Sequence, residues 1–108
     1  WFPGPAPGGF ARFAEAYRAR YGTEPPRTAS LVYDAVLLAN GLVAARGPAA
    51  AFAPGEIADR EGFLGVDGIF RFPRNGLSER GLAVFRVAPG GRAEVVVPAP
   101  ERFGASNF

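Results

Sequence analysis

Aromatic side chains recur at helical spacing near the beginning of the chain. They lie three, four and four residues apart, at Phe10, Phe13, Tyr17 and Tyr21. This spacing stacks them on one face of a helix, and the other face, which carries arginine and glutamate, is expected to be solvated. The next residue is Gly22, and a glycine in left-handed geometry commonly ends a helix. The pattern therefore predicts a helix over residues 10–21.

A second helix is predicted after the double proline of "TEPPRTAS", which forces an extended stretch. Thr28 or Ser30 can serve as its N-cap, and it continues to about Arg46, where a Gly-Pro pair stops it. The strongly polar side chains in its body are Asp34 and Asn40 alone. A helix this apolar needs cover on most sides, so we expect burial, or a wide exposed surface if neighbours are missing. No apolar run reaches the roughly 18 residues of a membrane span.

Two residues near the start of this helix have both a structural and a functional interpretation. Asp34 lies close to the positive end of the helix dipole, and we favour that electrostatic role over catalysis. Tyr33 is interpreted as a core residue with a hydrogen-bonded hydroxyl, although helix N-termini also face binding clefts.

Shorter elements follow in the second half of the chain. Pro54 suits the first turn of a short helix, with Glu56 near its positive end. Strands are predicted at 69–72, 82–87 and 93–97. The first two strands are expected to form a hairpin, joined by a broad loop through "NGLSERG". The fold class is therefore α/β, with about three helices followed by a small sheet of two to three antiparallel strands.

The stretch "GVDGIFRFPRNGLSERGLAVFRV" is rich in glycine and arginine, and we predict that its role is structural rather than phosphate binding. A phosphate-binding loop needs GxxxxGK[ST] or GxGxxG between a strand and a helix, and neither pattern occurs. The glycines fall at turns and strand ends instead. Arg71, Arg80 and Arg86 are expected to face solvent or to pair with Glu79 and Glu94 across the sheet.

Composition narrows the candidate chemistry further. The chain has no cysteine, no histidine and no lysine, which excludes zinc-finger, thiol and Ser–His–Asp chemistry. We therefore expect no enzymatic activity, no cofactor and no metal. The net charge is only +2, and the arginines are scattered among ten acids rather than gathered in a stripe. Nucleic acid is accordingly not an expected partner.

Two stretches together resemble a known family. "FARFAEAYRARYGTEPPRTASLVYDAVLLANGLVA" and "GFLGVDGIFRFPRNGLSERGLAVFRV" are similar, in order and spacing, to the late part of type I periplasmic binding proteins of the leucine/isoleucine/valine-binding kind. The residues of the second stretch and the closing "PAPERF" are most similar to those of the penicillin-binding-protein activator lipoproteins of that family. The resemblance implies that residues 1–108 are a partial domain, the C-terminal portion of a two-lobed α/β protein.

The resemblance also implies a function and a set of ligand contacts. A non-enzymatic periplasmic domain, its parent a membrane-anchored lipoprotein, would regulate peptidoglycan synthesis by contact with a penicillin-binding protein. The alternative is the substrate-binding component of an ABC transporter for an amino acid or a similar small polar solute. Family contacts around the "YDAV" helix correspond here to Thr28, Ser30 and Tyr33. Self-association of the chain is a further expectation, because a partial lobe exposes apolar surface.

Overall fold

The computed structural model describes residues 1–104. In chain order the elements are β1 (Phe2–Gly4), α1 (Pro7–Tyr21), α2 (Ala29–Arg46), α3 (Pro54–Ile57), β2 (Phe63–Gly65), β3 (Gly68–Arg71), β4 (Glu79–Arg80), β5 (Ala83–Val87) and β6 (Ala93–Val97). Three helices and short antiparallel strands confirm the predicted α/β content. The predicted strands do not include β2 and β4.

The helix ends follow the local chemistry of the sequence. Helix α1 begins three residues before the predicted start, with Pro7 in its first turn, where a missing N–H costs nothing. It ends at Gly22, which has a φ of 72° and donates its N–H to the carbonyl of Arg18 at 2.8 Å. Helix α2 ends at Gly47, whose N–H bonds to the carbonyl of Val43 at 2.9 Å. The predicted stops are therefore confirmed.

The strands form two antiparallel sheets, ordered β1-β5-β6 and β2-β3-β4. The predicted pairing of β3 with β5 is wrong, because the loop between them contains β4, which folds back onto β3. The chain then crosses to the other sheet at Gly81. A Cβ there would lie 2.6 Å from Cγ2 of Ile69, so only glycine permits this close approach.

Two of the predicted cross-strand ion pairs are present. Arg71 bonds to Glu79 at 2.6 Å, and Arg86 bonds to Glu94 at 3.0 Å. Arg71 is nevertheless buried rather than exposed, and its guanidinium lies 4.3 Å from the centre of the Phe103 ring. Arg80 instead lies over the ring of Phe70, at 5.1 Å.

Helix α2 is far more exposed than its composition predicts. Its buried positions are Ser30, Asp34 and Leu42, a narrow stripe at multiples of four residues that faces the β2–β3 hairpin. Five large apolar side chains outside that stripe are 42 to 67% exposed, at Leu31, Val32, Tyr33, Val36 and Leu37. Of the two expectations for α2, burial on most sides is wrong and a wide exposed apolar surface is observed, because the described chain covers α2 along one line only.

The overall dimensions agree with this incomplete cover. The radius of gyration is 15.8 Å, whereas a compact domain of this length has about 13 Å. The extents are 51 × 39 × 18 Å, so the molecule is flat. Among the described residues, apart from Pro25, the buried apolar side chains are Ala14, Leu42, Ala51, Ile69, Phe70, Ala83, Phe85 and Ala88. Half of these are alanines, which bury little apolar area.

Residues 29–46 also form a helix long and apolar enough to cross a membrane, judged by length and composition alone. The prediction that no segment is long and apolar enough for a membrane span is therefore wrong by this criterion. Core helices of globular proteins pass the same test. The buried stripe of α2 carries Ser30 and Asp34, and both are hydrogen-bonded to the hairpin. These buried polar contacts favour packing of α2 within the protein.

Candidate functional site

The start of α2 is fastened to the turn between β2 and β3 by a buried carboxylate. Asp67 accepts hydrogen bonds from Nη1 and Nη2 of Arg27, at 3.1 and 2.9 Å, and from the hydroxyl of Ser30 at 2.7 Å. The guanidinium of Arg27 also lies 4.2 Å from the centre of the Phe10 ring on α1. One acidic side chain therefore ties both helices to the same turn.

A second carboxylate makes the reciprocal contact from α2 to the turn. Oδ1 of Asp34 accepts the backbone N–H of Val66 at 2.7 Å. A Cβ on Gly65 would collide with the Asp34 carboxylate, and a Cβ on Gly9 of α1 would collide with the Val66 carbonyl. We call this arrangement of Gly9, Arg27, Ser30, Asp34 and residues 65–67 the helix–hairpin junction. The predicted role of Asp34 at the helix dipole does not include this hydrogen bond, because its donor, Val66, lies 32 residues further along the chain.

An open apolar groove of about 960 Å³ lies between α1 and α2, bordered by the same turn. We call it the aromatic groove, and its lining residues are Gly9, Arg12, Phe13, Ala16, Tyr17, Arg20, Tyr21, Ala29, Val32, Tyr33, Val36, Leu64, Gly65 and Val66. Ring centres lie 5.3 Å apart for Phe13 and Tyr33, and 4.6 Å apart for Tyr17 and Tyr21. The first of these ring contacts joins the two helices, and the second lies within α1.

The rim of the groove is positively charged. Arg12 and Arg20 line it, no acidic side chain does, and within residues 1–104 neither arginine lies within ion-pair distance of a carboxylate. Arg18, which does not line the groove, differs. Its hydrogen bond to Glu24 at 2.7 Å raises the pKa of the guanidinium and neutralises its charge locally. The two arginines of α1 that form no ion pair within residues 1–104 therefore lie beside the groove.

The three residues that the family resemblance selects do not meet in one cavity. Tyr33 lines the groove and is 47% exposed. Ser30 is fully buried in the junction, where its hydroxyl bonds to Asp67. Thr28 is exposed at the start of α2, makes no capping bond and is not among the groove residues. Their role as ligand contacts stays a prediction, and Tyr33 is the one placed at an open cavity.

Sequence reasoning missed Asp67 and the groove lining contributed by Arg12 and Arg20. A usable signal exists for the arginines, because Arg12, Ala16 and Arg20 repeat at four-residue intervals beside the row of Phe13, Tyr17 and Tyr21. No comparable signal exists for Asp67, whose partners lie 37 and 40 residues earlier in the chain. Within the described part of the chain, no group of three acidic side chains could hold a metal ion.

Comparison of the chain with protein-family models, with curated proteins and with solved structures found no match.

Proposed function

We propose that this chain is a non-enzymatic binding module that acts by contact with a partner protein through the aromatic groove and the adjoining face of α2. The observation that carries the proposal is the exposure of Val32 and Val36, 67 and 57%, beside a groove walled by aromatic rings. Contiguous apolar surface of this kind is typical of interaction sites. Aromatic residues are also enriched where binding energy concentrates.

The junction behind the groove supports the same proposal. Asp34 and Asp67 hold α2 against the hairpin turn, and Gly9 lets α1 approach that turn closely. The apolar face is therefore presented by elements whose positions are fixed before a partner arrives. A preorganised face binds more tightly, because less conformational entropy is lost on binding.

The family resemblance suggests which partner to test. We propose that the chain works in the periplasm and regulates peptidoglycan synthesis by contacting a penicillin-binding protein. Neither the groove nor the junction specifies that partner by itself. The resemblance supplies it, and the exposed face of α2 supplies the surface.

The test immobilises the chain and measures how much of a glycan-polymerising penicillin-binding protein it retains. The polymerisation rate of that penicillin-binding protein is measured in parallel, with and without the chain. Val32→Arg introduces a charge in the groove at a largely exposed helical position, and should weaken retention at least about tenfold. Leu77→Arg is the matched control, since Leu77 is 71% exposed and lies outside the groove. Loss of binding in both variants, or in neither, contradicts the proposal.

A second candidate is the solute-binding component of an ABC transporter. It is favoured by Tyr33, because the groove that Tyr33 lines has the volume of a small-molecule site, about 300–1,000 Å³. An amino acid at a hundredfold excess over its Kd would stabilise the chain by about 2.7 kcal/mol. A thermal-shift screen against common amino acids would then give a large rise in Tm that Tyr33→Ala removes. A screen of the full-length, two-lobed parent without any shift rejects this candidate.

A further inference from the structure

The aromatic groove is lined by one helix on each of two sides. Its α1 wall extends from Gly9 to Tyr21, which at 1.5 Å per residue is about 18 Å. Its α2 wall extends from Ala29 to Val36 on the other side. A trough between two helices, walled by apolar side chains, is the geometry in which an amphipathic helix lays its apolar face.

A peptide strand is a poorer fit to the same groove. Strand addition requires free backbone groups along a sheet edge. The backbone that borders the groove here is the end of the edge strand β2, at Leu64 and Gly65, and the turn that follows it. That strand is only three residues long, and the next N–H, of Val66, is already donated to Asp34. The side chains of the two helices are therefore what an occupant would contact.

The charges on the rim define the chemistry of the occupant. Arg12 and Arg20 lie eight residues apart on α1, a separation of about 12 Å along the helix axis. An acidic pair at the same separation on a docked helix would face both guanidinium groups. A second copy of this groove would instead bring arginine opposite arginine, which is unfavourable.

We infer that the aromatic groove binds an amphipathic helix of a partner protein whose apolar stripe is flanked by acidic residues about two turns apart. This inference rests on the proposed function and specifies the segment of the partner that the groove recognises. The rings and valines supply the apolar contact area. The two arginines select the charge and the register of the helix.

Designed peptides test the inference without knowledge of the partner. One probe is a fluorescent helical peptide of about 18 residues with a leucine stripe flanked by two glutamates eight positions apart. Its twin carries lysines at those two positions. We expect the acidic peptide to bind roughly tenfold more tightly in fluorescence anisotropy, since each exposed ion pair contributes a few-fold. The preference should shrink in about 0.5 M salt because of screening.

A charge exchange on the chain provides the matched experiment. The double variant Arg12→Glu/Arg20→Glu should reverse the preference and bind the lysine peptide more tightly. The control Arg74→Glu/Arg92→Glu changes the net charge equally, at exposed arginines outside the groove, and should keep the original preference. Helical content measured by circular dichroism checks that each variant is folded.

Several outcomes overturn the inference. Equal binding of both peptides removes the charge selection. Binding of dodecanoate with no binding of either peptide assigns the groove to anionic amphiphiles. A dimer in sedimentation equilibrium that Val32→Arg dissociates assigns the groove to a second copy. If neither peptide binds while the penicillin-binding protein is retained and Val32→Arg releases it, this inference fails and the proposed function stands.

Discussion

The two sides of α2 are built from different chemistry. On the side facing the hairpin, Ser30 and Asp34 are buried and each is hydrogen-bonded to the turn. On the side facing the groove, Val32 and Val36 remain largely exposed. Directional polar contacts thus fix where the helix lies, while non-directional apolar contacts remain available to a partner. One side of α2 therefore holds the helix in place, and the other side is an exposed apolar surface, the proposed binding face.

The largest expected effect tests how closely the junction is packed. Gly9→Ala would drive a methyl group into the carbonyl of Val66, and we expect a loss of about 2–4 kcal/mol in the free energy of unfolding. Gly8→Ala is the control, because a Cβ there meets nothing within 4 Å. Alanine should stabilise that position by ~0.5–1 kcal/mol. Chemical denaturation measures both, and equal effects would show that the close approach does not matter.

The next effect concerns the buried carboxylate of the junction. Asp67→Ala removes the acceptor for Arg27 and for the buried hydroxyl of Ser30, and should cost about 2 kcal/mol. The half-exposed Arg27 can recover hydrogen bonds from water, which limits the loss. Urea denaturation of both Asp67→Ala and Asp67→Asn separates the contribution of the negative charge to the unfolding free energy from that of the hydrogen-bond geometry. A wild-type midpoint for Asp67→Ala would contradict the framework role.

The groove side should respond in the opposite way. Val36→Glu changes a side chain that is 57% exposed, so the unfolding free energy should move by no more than about 0.5 kcal/mol. Fluorescence of a hydrophobic dye bound to the groove should nevertheless fall clearly, because the apolar surface is interrupted. Leu77→Glu provides the control for dye binding elsewhere. A strongly destabilised Val36→Glu would show that the surface is part of the core.

The smallest effect is expected at the surface of the β1-β5-β6 sheet. Arg86 and Glu94 form an exposed pair at 3.0 Å, and such pairs contribute only about 0–1 kcal/mol. A double-mutant cycle of Arg86→Ala and Glu94→Ala measures the coupling. A coupling well above that range would mean that polar contacts stabilise this sheet as they do the junction.

Much of the local structure could be predicted from the sequence. The ends of α1 and α2 follow from Gly22 and Gly47, which terminate helices through their own backbone freedom. The pairs of Arg71 with Glu79 and of Arg86 with Glu94 join residues eight positions apart. Such features depend on nearby residues, so a pattern along the chain is sufficient to find them.

The candidate site could be predicted only in part. Tyr33 was selected through the family resemblance, and it does line an open cavity. Ser30 was selected in the same way, yet its hydroxyl is engaged by Asp67, 37 residues further along the chain. Arg12 belongs to a face that the helical pattern describes as solvated, and only the approach of α2 makes that face the wall of a groove.

The sequence by itself determined where the helices lie and end, and which chemistry the side chains offer, because periodicity, glycine geometry and composition are local properties of a chain. The tertiary structure decided that β1 pairs with β5, which side of α2 is covered, and that Asp34 bonds to the turn that contains Asp67. Those outcomes depend on contacts between residues more than 30 positions apart. Many sequences satisfy the same local pattern, and only the packing of distant segments distinguishes among the arrangements they permit.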